Sequence, residues 1–167
     1  MSQTDSKIYG VYTGTDMKSY MCLLKIADTA ATVPVYQVTA PGGKGLPIDG
    51  SWQDYHRSTL FGSMTVVLDG ELELGVTAGP IRTATAKAGD AFVMIDLLGD
   101  GHSAMRKGRV PLHVLNTRFA LSVGGLWAAL SKGFTGWPDN VLPPAEYSPY
   151  PSTGLADPSR RYPDKSP

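Results

Sequence analysis

The amino-acid sequence predicts an all-β domain, and three observations support this fold class. Short runs of alternating apolar and polar residues recur along the chain, and turn residues separate them. Glycine and proline, the strongest turn formers, number 19 and 13 among 167 residues. Helical periodicity does not recur between the runs, which favours a sandwich or a barrel over a parallel α/β sheet.

The first third of the chain contains three predicted strands, at residues 7–13, 20–26 and 33–39. Polar turns separate them, and a stretch rich in glycine, proline and lysine follows. We expect these strands at an edge of the fold or in a contact between two copies of the chain.

The middle of the chain contains the strongest hairpin signal. Asp69-Gly70 lies between two alternating runs within residues 64–76, and Asp-Gly in that setting is typical of a tight β-turn. The later predicted elements, in chain order, are a second hairpin around residues 78–80, a turn at residues 88–90 and strands at residues 91–95 and 112–119.

The end of the chain differs from the rest. Residues 121–132 have the one convincing helical pattern, and we interpret its apolar stripe as a packing or dimer face. From residue 137 onward eight prolines exclude regular elements. The sequence therefore predicts a single domain at residues 1–136 and a proline-rich arm at residues 137–167, whose aromatic rings favour partial docking.

Charge and cysteine content exclude several classes of partner. Lys and Arg number 15, Asp and Glu also number 15, and no basic face is available for nucleic acid or a membrane surface. The polar start and the absence of a long apolar stretch argue against secretion and membrane insertion. The single cysteine, Cys22, excludes an internal disulfide, so we expect a cytoplasmic protein. Near-zero net charge does not oppose self-association, and we expect a homodimer.

Two spaced motifs resemble those of the cupin superfamily. The first matches G-x5-H-x-H-x4-E-x6-G, with serine in place of the second histidine and of the glutamate, at Gly50, His56, Ser58, Ser63 and Gly70. The second cupin motif is similar to the sequence from Gly89 through Gly99 and His102 to Arg106, where the family has asparagine. This second match is about two residues longer between its glycines and lacks the family's proline. The resemblance covers residues 33–119.

The resemblance implies a cupin-type jelly-roll β-barrel, whose motif side chains share one cavity. In the family, three histidines and one glutamate bind a divalent metal, and here His56 and His102 alone keep a ligand residue. Serine hydroxyls are poor ligands for such metals, so we expect no tightly bound metal and no other cofactor. A metal, if bound, would use His56 and His102. Donors near in sequence but outside the family's ligand positions are Asp54, Asp96, Asp100 and His113.

His56 and His102 are the candidate catalytic residues. Burial or a nearby carboxylate such as Asp54 would tune either imidazole for general acid or base work near neutral pH. The alternative for His56 is a hydrogen-bonded loop histidine, and the insertion in the second motif makes His102 the less certain of the two. Residues that could complete a substrate pocket are Gln37, Trp52, Tyr55, Ser58, Ser63, Thr65 and Arg106. The two serines have a simpler alternative, that of filling space where ligands were lost.

The leading hypothesis is therefore a metal-independent cupin enzyme with lyase, isomerase or cyclase chemistry. Its substrate would be a small, apolar, natural-product-like molecule in the barrel cavity, a class that the resemblance alone suggests. One alternative is a metal-dependent, dioxygenase-like cupin that uses His56 and His102. Another alternative is a non-catalytic cupin that binds a small molecule.

Overall fold

The computed structural model describes residues 6–28, 35–39, 51–58, 62–108, 111–119 and 125–144. Within these ranges the chain forms ten strands and one short helix. The elements are β1 (Ile8–Thr13), β2 (Ser19–Ile26), β3 (Val35–Thr39), β4 (Ser63–Asp69), β5 (Glu71–Gly75), β6 (Thr83–Ala86), β7 (Ala91–Ile95), β8 (Ser103–Lys107), β9 (His113–Phe119), α1 (Gly125–Gly133) and β10 (Phe134–Thr135).

The strands form two sheets. The larger sheet has the order β2-β1-β7-β4-β9-β3 and is extended beyond β2 by the two-residue β10, while the smaller has the order β6-β5-β8. The pairing of β1 with β7 is parallel, and the other strand pairs described are antiparallel. The prediction of a mostly β domain with one short helix near the C-terminal end is confirmed. Among the described residues, however, no strand pairing closes the two sheets into a barrel.

The position of β1 corrects one expectation. Strand β1 does not lie at an edge but between β2 and β7, with Tyr9 opposite Phe92 in the parallel ladder. The rings of Tyr9 and Phe92 stack with centroids 5.2 Å apart, and this long-range contact places β1 inside the sheet. Both faces of β1 and β7 are covered, and all five residues of β7 are buried.

Between the two sheets lies the first apolar core. Alternate residues of the central strands point into it, including Val11 of β1, Val67 of β4 and Phe92 of β7, each 0% exposed. Leu72 and Leu74 of β5 meet them from the smaller sheet. The turn between β4 and β5 lies at Gly70, where φ is +78° and a Cβ would stand 2.6 Å from the carbonyl oxygen of Pro111.

A second apolar core covers the opposite face of the larger sheet. Leu126 and Leu130 of α1 pack there, and so do Trp137 and Val141 from the segment that follows β10. This segment is tied to the start of the chain, because the amide of Leu142 donates to the carbonyl of Thr13 at 2.9 Å. Residues 137–144 of the predicted arm therefore pack on the domain, while residues 145–167 lie outside the described part of the chain. Within that part, α1 has nine residues, and no helix is long and apolar enough to cross a membrane.

Candidate functional site

His56 and His102 meet at one end of the layer between the sheets. Their backbones form an isolated antiparallel bridge, in which each amide donates to the other residue's carbonyl at 2.8 Å. The two rings are tilted by 60° and their centroids are 4.4 Å apart. His102 lies two residues before Ala104, which belongs to the first apolar core. Strand alternation therefore directs the side chains of His102 and Ala104 toward that core. The two histidines of the motifs therefore share one site.

Asp96 connects the site to β7. It follows that strand and, with an exposure of 0%, is among the most deeply buried side chains of the described residues. Its Oδ2 is 2.7 Å from Nδ1 of His102, and its Oδ1 accepts a hydrogen bond of 2.6 Å from the hydroxyl of Ser58. The amide of Ser58 also donates to the carbonyl of Asp96 at 3.3 Å. One buried carboxylate thus joins Ser58 to His102.

The two imidazoles have different surroundings. Nδ1 of His56 lies 3.0 Å from the carbonyl oxygen of Asp54, and because a carbonyl only accepts, this nitrogen carries the proton. Burial lowers the pKa of His56 below its ordinary value of 6.5, and the neighbouring His102 lowers it further. His56 is therefore neutral at pH 7, with a lone pair on Nε2. In His102 it is again Nδ1 that is engaged, by Asp96, so Nε2 is the ring atom left for a ligand.

The loop between Asp96 and His102 is held firmly on the larger sheet. The hydroxyl of Thr13 donates to the carbonyl of Leu98 at 2.9 Å, and the hydroxyl of Ser19 donates to the carbonyl of Gly101. From the other side, Nε of Arg57 donates to the carbonyl of Gly99 at 3.0 Å. These bonds fix the chain that carries His102.

Polar residues of the larger sheet face the same layer. Ser63 and Thr65 alternate with the core residue Val67 along β4, and both are buried. The hydroxyl of Thr65 accepts a hydrogen bond of 3.1 Å from Nδ2 of Asn116 on β9. Oδ1 of Asn116 is buried and has no hydrogen-bond partner among the described residues. This oxygen is an acceptor that a donor group of a ligand could satisfy.

The remaining predicted pocket residues are spread more widely. Trp52 packs against Gly75, where a Cβ would lie 3.2 Å from the indole ring. Strand alternation places Gly75 on the same side of β5 as Glu73, which forms an ion pair. That is the solvent face of the smaller sheet, so Trp52 is separated from the histidine pair. Tyr55 is half-buried, and burial raises its pKa above 10.0. Arg106 lies on β8 on the same face as His102.

The position of Gln37 is known for its backbone alone. It lies on β3 opposite Arg118 of β9, next to a register shift in that ladder. The orientation of its side chain lies outside the described part of the structure, and its role in a pocket stays a prediction.

Asp96 and Asn116 are the site residues that the sequence did not single out for these positions. Asp96 was considered as a spare metal ligand rather than as a partner of His102. The available signal was strand alternation. Phe92 and Met94 of β7 face the first apolar core, and Asp96, two residues after Met94, is expected on the same face. Asn116 gave no comparable signal, because its importance depends on its pairing with Thr65 across two strands.

The donor set does not fit a catalytic metal centre. Among the described residues, no group of three or more His, Cys, Asp or Glu side chains could hold a metal ion. Asp96 contributes no free oxygen, because Ser58 and His102 engage both. Two imidazoles fall short of the three protein ligands that catalytic zinc and iron sites use.

A separate groove lies on the opposite face of the larger sheet. It has a volume of about 420 Å³ and runs between α1 and the segment after β10. None of the predicted site residues lines it. Its walls include Trp127, Phe134, Trp137, Pro138 and Asp139.

No protein-family model matches the chain, and no curated protein matches it at a significant level.

Proposed function

We propose that the chain is a metal-independent enzyme of the cupin type that moves protons on a small, apolar, natural-product-like molecule. Lyase, isomerase and cyclase reactions all fit this description. The observation that carries the proposal is the contact of His102 with the buried Asp96, beside a second imidazole whose pKa is lowered. A carboxylate that orients a histidine in this way is a recurrent element of general acid/base sites.

The two histidines suit complementary roles. His56 is neutral at pH 7, so its Nε2 can accept a proton from a carbon next to a substrate carbonyl. In this scheme His102, whose ring is held by the carboxylate of Asp96, returns a proton to the substrate. The transfer needs no oxidant or reductant, since one proton leaves the substrate and one is returned. Arg106 would donate a hydrogen bond to a substrate oxygen, and Oδ1 of Asn116 would accept one from a substrate hydroxyl in the same layer.

The test uses a panel of small apolar ketones and enones with exchangeable protons next to the carbonyl. Incubated in D2O, the wild-type protein should accelerate deuterium incorporation at that carbon, as followed by NMR. His56→Ala should abolish the acceleration, and His113→Ala should retain it because the His113 side chain is 56% exposed and lies outside the site. Equal exchange by the His56→Ala variant, or no acceleration by wild type with any probe, would contradict the proposal.

One observation favours the metal-dependent alternative. Both histidines have Nδ1 bound to an oxygen, which is the usual state of metal-ligating imidazoles. This alternative requires a third donor from outside the described residues. Elemental mass spectrometry of protein purified without chelators distinguishes the two candidates. Metal far below one atom per chain supports the metal-independent enzyme, and near-stoichiometric metal supports the alternative.

A homodimer belongs to the same proposal. Leu23 and Ile26 of β2 are 52% and 73% exposed, and a second copy would cover such apolar side chains. Static light scattering tests this, and a monomer mass would contradict it.

A further inference from the structure

We infer that Ser58 and Asp96 form a positioning relay, in which Ser58 holds the carboxylate of Asp96 and Asp96 holds the ring of His102. The relay deepens the proposed function and rests on that proposal. Its role is to determine which ring nitrogen of His102 faces the substrate. Neither residue touches the substrate in this scheme. Both act through His102.

The bonding pattern of Asp96 supports the relay. The carboxylate is completely buried, and each oxygen has one short contact, 2.6 Å to the hydroxyl of Ser58 and 2.7 Å to Nδ1 of His102. Contacts of this length are typical of charge-assisted hydrogen bonds. The carboxylate oxygen facing the ring accepts, so Nδ1 of His102 donates and carries the proton. Nε2 of His102 is thereby reserved for exchange with the substrate.

The same pattern gives Ser58 a role through Asp96. A serine hydroxyl has one proton, and Ser58 gives it to Oδ1 of Asp96. It therefore has no proton left to donate to a substrate oxygen. Its hydroxyl is also directed at a carboxylate rather than at an imidazole, which does not match an activated serine nucleophile. In the relay, Ser58 holds the carboxylate of Asp96.

The relay is built on three segments that are distant in sequence. Asp96 directly follows β7 in the centre of the larger sheet, and His102 directly precedes β8. Ser58 lies two residues after His56 in the segment 51–58. The loop before His102 is fixed to Thr13 and Ser19. Because the three residues lie in different segments, each with its own hydrogen bonds, the carboxylate of Asp96 cannot turn away from the ring of His102 without losing a hydrogen bond.

The experiment reads the tautomer of His102 directly and needs no substrate. The chain contains three histidines, so a long-range ¹H–¹⁵N spectrum of protein labelled at the imidazole nitrogens shows three ring systems. His56→Gln and His113→Gln assign them by elimination. In the wild type, we expect His102 to carry a proton on Nδ1, which faces Asp96. A neutral His102 with its proton on Nε2 would overturn the inference without any variant of the relay.

Two relay variants extend the test. Asp96→Asn should produce a population of His102 with the proton on Nε2, because the charge that selects Nδ1–H is gone. Ser58→Ala should accelerate solvent exchange of the Nδ1 proton about ten-fold, as the loss of a hydrogen bond to a charged group predicts. Ser58→Thr should restore slow exchange. Unchanged exchange in Ser58→Ala would remove Ser58 from the relay.

A matched pair in the same loop serves as control. The hydroxyl of Thr77 donates to Oδ2 of Asp100 at 2.8 Å, which is the same type of bond without a histidine. Asp100→Asn changes this bond without touching the relay and should leave the His102 spectrum unchanged, and a similar change there would show a general loosening of the loop. Failure of the proposed function would appear separately, as normal tautomer selection in a protein that does not accelerate deuterium exchange.

Discussion

The backbones of His56 and His102 exchange two hydrogen bonds of 2.8 Å, and this bridge brings the two rings of the site together. The approach depends on Gly101, which has φ +74° and lies against the carbonyl of His56. A methyl group at this position would collide with that carbonyl. The bridge therefore requires glycine both for its conformation and for its lack of a side chain.

Gly101→Ala should destabilise the fold by at least about 2 kcal/mol, because the cost of a left-handed alanine adds to the collision. Urea unfolding measures the change. Gly108→Ala is the matched control, since Gly108 has φ +77° but nothing within 4 Å of a Cβ. Gly108→Ala should lower the free energy of unfolding by about 1 kcal/mol, because it adds the cost of a left-handed alanine without a collision. Equal losses in the two variants would show that the close approach to His56 is unimportant.

Removing His102 should expose the energetic role of Asp96. His102→Ala leaves a buried carboxylate with Ser58 as its remaining side-chain donor, which we expect to cost roughly 3–5 kcal/mol. The double variant Asp96→Asn/His102→Ala should be more stable than His102→Ala, because it carries no buried charge. A double-mutant cycle by urea unfolding gives the coupling. Additive losses would mean that Asp96 and His102 do not interact.

Stability should depend on the protonation of His56. Its pKa is lowered in the folded state, first by burial and then by His102, so the unfolded chain binds a proton more readily below pH 6.5. The free energy of unfolding should therefore fall as pH drops from about 6.5 toward the lowered pKa. His56→Gln should reduce this fall, and His113→Gln should leave it as in the wild type. Urea unfolding at pH 7 and pH 5 makes the comparison, which an unchanged fall in His56→Gln would contradict.

The packing of α1 on the larger sheet gives a fourth prediction. Leu130 is 1% exposed in the second core, so Leu130→Ala should cost about 2–5 kcal/mol in unfolding free energy. Ala128 lies on the exposed side of the same helix, and Ala128→Ser should change stability by about 0.5 kcal/mol or less. A small effect of Leu130→Ala would mean that the helix contributes little to the fold.

The sequence predicts those strands that carry their own pattern. Asp-Gly correctly marks the turn between β4 and β5, but the predicted hairpin is wrong, because these two strands lie in different sheets and do not pair with each other. Strand β7 is a continuous apolar run because both of its faces are buried. Strand β6 pairs with β5 across the second predicted hairpin, whereas β8 was missed, since SAMRK lacks large alternating apolar residues. They become strands by pairing with β5, which is a tertiary effect.

The site was predictable to a similar extent. The spacing of two motifs pointed to His56 and His102, whose rings are indeed neighbours. Strand alternation along β7 could place Asp96 on the face of the first core, but its contacts with Ser58 and His102 were not predictable, because they depend on where three distant segments meet. Had the strand ended with a different register, the same carboxylate would face the second core. Long-range geometry of this kind has no local signature in one sequence.

The parallel pairing of β1 with β7 has a consequence for biosynthesis. Lys7 and Asp90, which are hydrogen-bonded where this pairing begins, are 83 positions apart. While the ribosome makes the intervening chain, β1 and β2 can form only a hairpin, and an isolated two-stranded hairpin is marginally stable. The edge of β1 that pairs with β7 therefore stays unpaired until β7 has been synthesised. Such delayed closure slows folding and leaves this edge open to pairing with other chains while synthesis continues.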